Sequence, residues 1–464
     1  MKKSQIIGLI LALAILIGMN FLPASETLSI GGRNTLGILF TVIVLLITEP
    51  IPIGVTCLLS IPLLVLFKAV PTIPAALGGF TNPIVFFVLA SFGISRALTK
   101  VPLSNRLLKV LIKTFGKNVK RVMLAVMITI AVVSSVISNV AATAVFISIV
   151  LGFLQIYKRE EDRRKTGKTF MIALPVAGMI GGMLTPAGSS LNLMTLSFLE
   201  ELTGASVTFL EWMVIGVPVV LVVLPFAWFI LLKIYPVVEI PEKDIMDYVD
   251  TLDVPEKMDA KERYVLLLMT IMFTLWILSS WFPVFNITIV ALVGFAFLFI
   301  PGFEIITWDE FLASVSWPAF FLVGSVITIG GALISNGVSQ WLVANFFPQT
   351  LNLPTIGIGF VAGIIVFLML IIVPVAPALI PLLSAPFVGL AVSIGISPVF
   401  LMMVLGLTVA NCYLLPLDTV PLLTYMTGYY KMQDMPKVTA FIQLFLAVIV
   451  AIWVPIALSI LGLM

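Results

Sequence analysis

Apolar runs long enough to cross a bilayer lie at about 5–22, 35–49, 51–67, 81–97, 170–198, 212–234, 264–281, 286–301, 315–334, 397–427 and 438–463. A spanning helix needs roughly 20 mostly apolar residues. In hydrocarbon every backbone N–H and C=O has to be satisfied within the structure, and continuous apolar runs of this length do that as helices. Two further runs, about 120–157 and 354–390, are too long for one crossing. At 1.5 Å per residue, 38 residues reach roughly 57 Å, about twice the hydrocarbon thickness. Each is expected to fold back as a re-entrant hairpin or to make two crossings with no loop between them.

Composition closes the other routes. Hydrophobic residues make up 61% of the chain and charged residues 10%, against about 25% charged in a soluble domain. A soluble enzyme, a nucleic-acid binder and a secreted disulfide scaffold are excluded. Cys57 and Cys412 both sit in apolar runs, so neither a disulfide framework nor a cysteine metal site is expected. Histidine is absent, which removes the usual pH switch, catalytic base and metal ligand together. The N-terminal run has no small-residue cleavage site after it and reads as a retained first helix.

Charge placement chooses the hairpin reading. The basic residues cluster at 2–3, 96–121, 158–168, 233–263 and 431–437. With both long runs folded back, all but Arg33 and Lys68 of the 25 basic residues lie on the cytoplasmic side; a straight crossing at 120–157 would put a rich cluster outside, against the positive-inside rule. The N-terminus is then cytoplasmic and the C-terminus outside. Residues 102–116 place Arg106, Lys109 and Lys113 on one helical face, as in an interfacial amphipathic helix. The matching segment, 336–353, carries no charge. The acidic-basic runs 158–168 and 239–263 read as solvated loops.

The two halves match as sequence. TNPIVFFVLASFGISRAL (81–98) aligns with SWPAFFLVGSVITIGGAL (316–333), and LTPAGSSLNLMT (184–195) with LLPLDTVPLLTY (414–425), with a long hairpin between them in each half. The same order in opposite orientation reads as an inverted repeat, the architecture of secondary transporters with midplane sites at broken helices. Four breaks fit. The first hairpin is interrupted at Ser134, Ser138, Asn139 and Val140, and the second at Pro374-Val375-Ala376-Pro377 and Pro381. Two crossings break, at Thr185-Pro186-Ala187-Gly188-Ser189-Ser190 and at Pro416-Leu417-Asp418-Thr419-Val420-Pro421. Proline frees carbonyls, unwound backbone at this depth survives where it lines a site, and half-helix N-termini favour an anion. The charged residues in the expected spans are Glu49, Arg96, Lys233 and Asp418, and Asp418 alone lies mid-span. An intramembrane carboxylate costs roughly 2.5–3.5 kcal/mol on insertion scales. Asp418 therefore reads as a Na⁺ ligand or a proton carrier, set against a structural Asp bonded to free backbone at the break. Glu49 reads as a residue that positions helix ends.

On these segments the chain resembles the divalent anion:sodium symporter family. ITEPIPIGVTCLLSIPLL (47–64) resembles that family's early Glu-x-Ile-Pro segment, SVISNVAATAVFISIVL (135–151) its first hairpin tip, and TPAGSSLN (185–192) the loop facing that tip. The resemblance implies an all-α polytopic membrane protein of two inverted repeats, with 11 transmembrane helices plus two re-entrant helical hairpins, assembled as a homodimer. It implies a scaffold (1–119 and 264–353), an elevator-like transport domain (120–234 and 354–464) and a cytoplasmic linker (235–263). In that family a Ser-Asn-Thr motif at each hairpin tip holds substrate carboxylates and sodium. Here the first reads Ser138-Asn139-Val140 and the second is replaced by Pro374-Val375-Ala376. The resemblance thus implies substrate contacts at Ser138, Asn139, Val140, Ser189, Ser190, Pro374, Val375, Ala376 and Thr419. It implies sodium at Ser134, Ser138, Asn139 and the Gly188 carbonyl, with Asp418 the candidate on the second side.

The expected function is sodium-coupled secondary transport of a small organic anion such as a dicarboxylate or citrate, with no cofactor beyond the coupling ions. The competing readings are proton-coupled or exchange-type anion transport or Na⁺/H⁺ exchange through Asp418, and sulfate or another inorganic anion as substrate. An intramembrane enzyme would need a Ser–His or Asp–Asp pair, and a channel a filter repeated around a pore. Neither pattern is present in the sequence.

Overall fold

The computed structural model describes residues 3–21, 28–252, 254–346 and 353–464. Those residues fold into helices and form no sheet. Seven helices are long and apolar enough to cross a membrane, including Ile30–Thr48, Pro83–Lys100, Phe209–Ile234 and Trp317–Ser335. Shorter apolar helices include Ile53–Leu66 and Ile287–Phe297, and Ala260–Leu278 stands at the expected span 264–281.

Both long runs fold back. The first becomes Val119–Ser134 and Asn139–Leu154, and the second becomes Thr355–Ile372 and Ala376–Ser393. Asn118 caps the first hairpin by accepting from the Arg121 N–H at 2.9 Å. The two crossings predicted to break do so, as Glu160–Gly181 followed by Ser190–Thr203, and as Pro398–Val409 followed by Thr419–Tyr425. Glu49 ends Ile30–Thr48 in the left-handed conformation, its N–H donating to the Leu45 carbonyl, so its backbone terminates a helix as expected.

The two halves interlock by exchange. Ile53–Leu66 packs on Trp317–Ser335 of the other half, and Ile287–Phe297 packs on Pro83–Lys100 in return. Ser60 and Ser325 share a buried 2.7 Å hydrogen bond at the first of these crossings. The short second segments of the broken crossings are exchanged in the same way. Ser190–Thr203 packs on Ala376–Ser393, and Thr419–Tyr425 packs on Asn139–Leu154. Phe209–Ile234 and Pro436–Leu461 lie against each other.

The amphipathic segment forms Leu103–Phe115 with Leu108 and Ile112 buried. Of its uncharged counterpart, Val338–Phe346 is helical; residues 347–352, Gln349 among them, lie outside the described residues.

The solvated-loop reading of 158–168 and 239–263 is corrected: from Glu160 the first run is the start of the helix Glu160–Gly181, in which Thr166 and Gly167 are buried. Glu242–Thr251 is a helix that buries Ile245 and Val249, and Tyr248 donates to the Ile149 carbonyl at 2.6 Å. Glu262 is 1% exposed and takes both Arg106 Nε and Nη2, a bidentate pair that places a buried carboxylate on a fork of matching geometry. Lys113 pairs with Asp250 at 2.9 Å, the Val119 N–H donates to Glu239, and Lys168 pairs with Asp434. These contacts tie 96–121 to 239–263 and 158–168 to 431–437, and the Val238 N–H, donating to the Thr166 hydroxyl at 3.0 Å, connects the 158–168 run to the chain leading into 239–263.

Candidate functional site

The first hairpin turns over residues 135–138 and sits on the break of the first crossing. Ser134, fully buried, donates its hydroxyl to Asn139 Oδ1 across the tip. The Thr185 hydroxyl donates to the Ser135 carbonyl, tying tip to break. Two glycines make the approach possible. A Cβ on Gly181 would stand 2.3 Å from Ala131 Cα and 2.4 Å from its carbonyl oxygen; one on Gly182 would stand 2.8 Å from Asn139 Oδ1. Backbone cannot yield as a side-chain end can. Gly181→Ala is therefore expected to lever the hairpin off the broken crossing, costing about 2 kcal/mol as core overpacking does. A lowered melting temperature together with lost uptake is the expected reading; an unchanged melting temperature would contradict this packing.

Gly188 folds back so that a Cβ there would meet the Gly182 carbonyl at 2.6 Å. Asn192 braces the same loop, its Nδ2 donating to the carbonyls of Gly182 at 2.8 Å and Thr185 at 2.9 Å. Its Oδ1, fully buried, has no hydrogen-bond partner. Ser134, Asn139, Gly182, Thr185, Gly188 and Asn192 thus converge on one polar cluster. Two helices, Asn139–Leu154 and Ser190–Thr203, start beside it. Ser189 accepts from the Leu191 N–H at 3.2 Å as the N-cap of the latter. Ser138, Val140, Ser189 and Ser190 are half-buried at these helix starts.

Such a set is chemically specific. Hydroxyl, amide and carbonyl oxygens are the hard donors that alkali and alkaline-earth cations take. The helix N-termini add positive potential suited to an anion. A buried amide oxygen left without a donor costs about 1–3 kcal/mol unless something meets it, and Asn192 Oδ1 is such an oxygen beside this cluster.

The second side is built differently. Thr355–Ile372 and Ala376–Ser393 are joined by Val373, Pro374 and Val375 alone, and the Val375 cap makes no side-chain bond. Pro374 and Val375 are half-buried and Ala376 is buried. A small pocket beside this tip has Ile371, Pro374, Cys412, Leu415 and Leu417 in its lining, with Gln443 as a polar member. Asp418 is half-buried and caps Thr419–Tyr425, its Oδ1 accepting from the Val420 N–H at 3.1 Å. Thr419 is exposed. The structure therefore gathers Ser134, Ser138, Asn139 and Gly188 at one tip. It places Pro374, Val375, Ala376, Asp418 and Thr419 on the second hairpin and second break, with the Asp418-capped helix reaching the first hairpin through its packing on Asn139–Leu154.

Sequence reasoning missed two amides. Asn192 belongs to the quoted TPAGSSLN segment, but the polar candidates there stop at Ser190. Asn411 lies at the second break. Its Nδ2 donates to the Leu407 carbonyl at 2.7 Å and to Met183 Sδ, and its own carbonyl accepts from Gln443 at 2.7 Å. Its Oδ1 is buried without a partner, as is the Tyr413 hydroxyl. An uncharged amide in an apolar run was the available signal.

Among known proteins, the chain matches the family model described as the sodium:sulfate symporter transmembrane region over residues 3–463. It is 27% identical to the sodium-dependent dicarboxylate transporter SdcS of Staphylococcus saprophyticus, covering 97% of this chain and 90% of that one. It is 26% identical to SdcS of Staphylococcus aureus strain USA300, covering 99% and 93%. The crystal structure of the Alcanivorax borkumensis YdaH transporter shares its fold at a TM-score of 0.55 and 14% identity, covering 82% of this chain and 87% of that one.

Proposed function

The chain belongs to the sodium:sulfate symporter family, and from that premise we propose a sodium-coupled carrier of small organic dianions that works by elevator-type alternating access. The coarse function, sodium-coupled anion transport in a membrane rather than catalysis, follows from family membership. The similarity to dicarboxylate transporters named SdcS supports a dicarboxylate-like substrate. One observation carries the site: the Ser134–Asn139 tip seated on the Gly182–Gly188–Asn192 break, with two helix starts beside it. In this reading Ser134, Ser138, Asn139 and the Gly188 carbonyl hold a sodium ion. Ser138, Asn139, Val140, Ser189 and Ser190 hold one end of the anion, and Pro374, Val375, Ala376 and Thr419 enclose the other. Asp418 serves a second cation. The protein works as a homodimer, with the scaffold at 1–119 and 264–353 standing still while 120–234 and 354–464 move.

A second reading is favoured by the apolar second tip. With Pro374-Val375-Ala376 there, the one carboxylate at the second break is Asp418, and a proton on it replaces the second sodium in a proton-coupled or exchange cycle. Uptake of labelled succinate, citrate and sulfate into proteoliposomes, each with and without Na⁺ and with and without a pH gradient, decides among these. Sodium-dependent succinate or citrate uptake is expected. Uptake driven by a pH gradient without Na⁺ supports the second reading, and sulfate as the preferred cargo replaces the organic anion.

Orientation is tested separately. Cysteines introduced at Lys113 and Arg163 are expected to react with an impermeant maleimide only from the cytoplasmic face. The native Cys57 and Cys412 are buried and contribute little background. Labelling of the two positions from opposite faces would remove the hairpin topology.

A further inference from the structure

Away from the transport site, on the face that carries the basic clusters, lies a cleft of about 520 Å³. That volume falls in the range of small-molecule sites and is far larger than a bare ion needs. Its walls come from three places: the start of Glu160–Gly181, the chain just after Phe209–Ile234, and the loop that follows Thr419–Tyr425. Arg164, Lys165, Lys168 and Lys431 line it against one carboxylate, Asp434.

That carboxylate is occupied in holding the walls together. Asp434 accepts from Lys168 Nζ at 3.1 Å, from the Lys431 N–H at 2.9 Å and from the Tyr235 hydroxyl at 3.3 Å. Arg164 pairs with Glu160, but both side chains are mostly exposed, and such pairs contribute little. Lys165 and Lys431 have no ion-pair partner among the described residues. Two of the four lining cations, Lys165 and Lys431, thus stand on a concave surface without an acidic partner among the described residues. Such an excess of positive charge raises the local concentration of anions.

Tyrosines give the cleft shape. Lys168 Nζ lies 5.1 Å from the centre of the Tyr235 ring. The Tyr429 ring lies on Gly167 so closely that a Cβ there would meet it at 2.2 Å. Tyr430, whose hydroxyl donates to the Pro421 carbonyl at 3.0 Å and pairs with Thr424, connects this wall to the helix capped by Asp418.

The geometry points to a binding site for a phosphate-bearing anion, either an anionic phospholipid headgroup or a free phosphate compound, whose occupancy braces the loop behind Thr419–Tyr425. The clustered ammonium groups suit compact, multiply charged oxyanions, and the tyrosine rings in the lining supply walls for an attached organic part.

Purified full-length protein in detergent tests this by melting temperature, with binding read independently of transport. One arm adds sodium pyrophosphate against sodium chloride matched in Na⁺ and ionic strength. The other adds phosphatidylglycerol against phosphatidylcholine. A saturable rise with pyrophosphate identifies a free phosphate compound, and one with phosphatidylglycerol alone identifies the lipid headgroup. Lys165→Gln and Lys431→Gln are each expected to weaken the response about tenfold, as loss of a charged contact does. The sodium-dependent rise, measured on the same samples, reports the transport site and should survive both substitutions. If one variant loses the sodium response through misfolding, the other decides by the same criterion. No rise in either arm, or an undiminished rise in both single variants, overturns the proposal, and neither result bears on sodium-coupled transport.

Discussion

Asn139→Ala is expected to bring uptake to background while the protein stays folded. The amide sits at the first residue of Asn139–Leu154, its Oδ1 accepting from Ser134 and lying against Gly182. It is half-buried, so deleting it opens little space and removes a hydrogen bond worth about 1 kcal/mol of stability. In the proposed role of sodium ligand it has far more to lose. Even residues that only orient a ligand cost 10–100-fold in metal affinity when replaced, so about 100-fold weaker sodium binding is expected. A melting temperature lowered in sodium-free buffer by no more than that one hydrogen bond, with the sodium-dependent rise gone, would separate the ligand role from a packing role. Near-normal uptake with unchanged sodium dependence would reject Asn139 as a ligand.

The second large effect belongs to Asp418→Asn, which distinguishes the two coupling mechanisms. Asp418 caps Thr419–Tyr425, and Asn caps a helix about as well as Asp. The substitution therefore keeps the local fold and one carbonyl oxygen while removing the charge and the titration. If Asp418 ligates sodium, affinity for sodium falls at least about tenfold, a loss of about 1.4 kcal/mol or more. High sodium then restores much of the rate. If Asp418 carries a proton, net coupled uptake is lost at every pH and sodium concentration while anion-for-anion exchange persists. If Asp418 is only a cap, uptake follows the wild-type dependence on both ions. The first outcome is expected, and a wild-type profile would remove Asp418 from the site.

Much of the fold was legible because the bilayer imposes simple local rules. Run length against hydrocarbon thickness separated crossings from hairpins, and the placement of Lys and Arg favoured folding 120–157 back; the structure forms that hairpin. Proline and small polar residues marked the breaks at 185–190 and 416–421. Both crossings break, the first between Gly181 and Ser190 and the second between Val409 and Thr419. The second break thus starts six residues earlier than expected, and the last three residues of 416–421 are already helical. The family resemblance set Ser134, Ser138, Asn139 and Gly188 beside one another, and the structure brings the hairpin tip and the facing loop together.

What the sequence determined by itself was therefore whatever follows from solvent and near neighbours: the helices, their breaks, the repeat and the first tip. Tertiary structure alone decided what depends on partners far along the chain. Asn192 braces the loop carbonyls and leaves Oδ1 open. Asn411 reaches Met183 of the other break. The Asp418-capped helix lies on the first hairpin, and Glu262 leaves an acidic-basic run to be buried beside Arg106. The physical reason is that 61% of this chain is hydrophobic. When lipid and core are equally apolar, side-chain patterning no longer says which face meets which, and small residues and isolated polar groups settle helix partners through packing and hydrogen bonds.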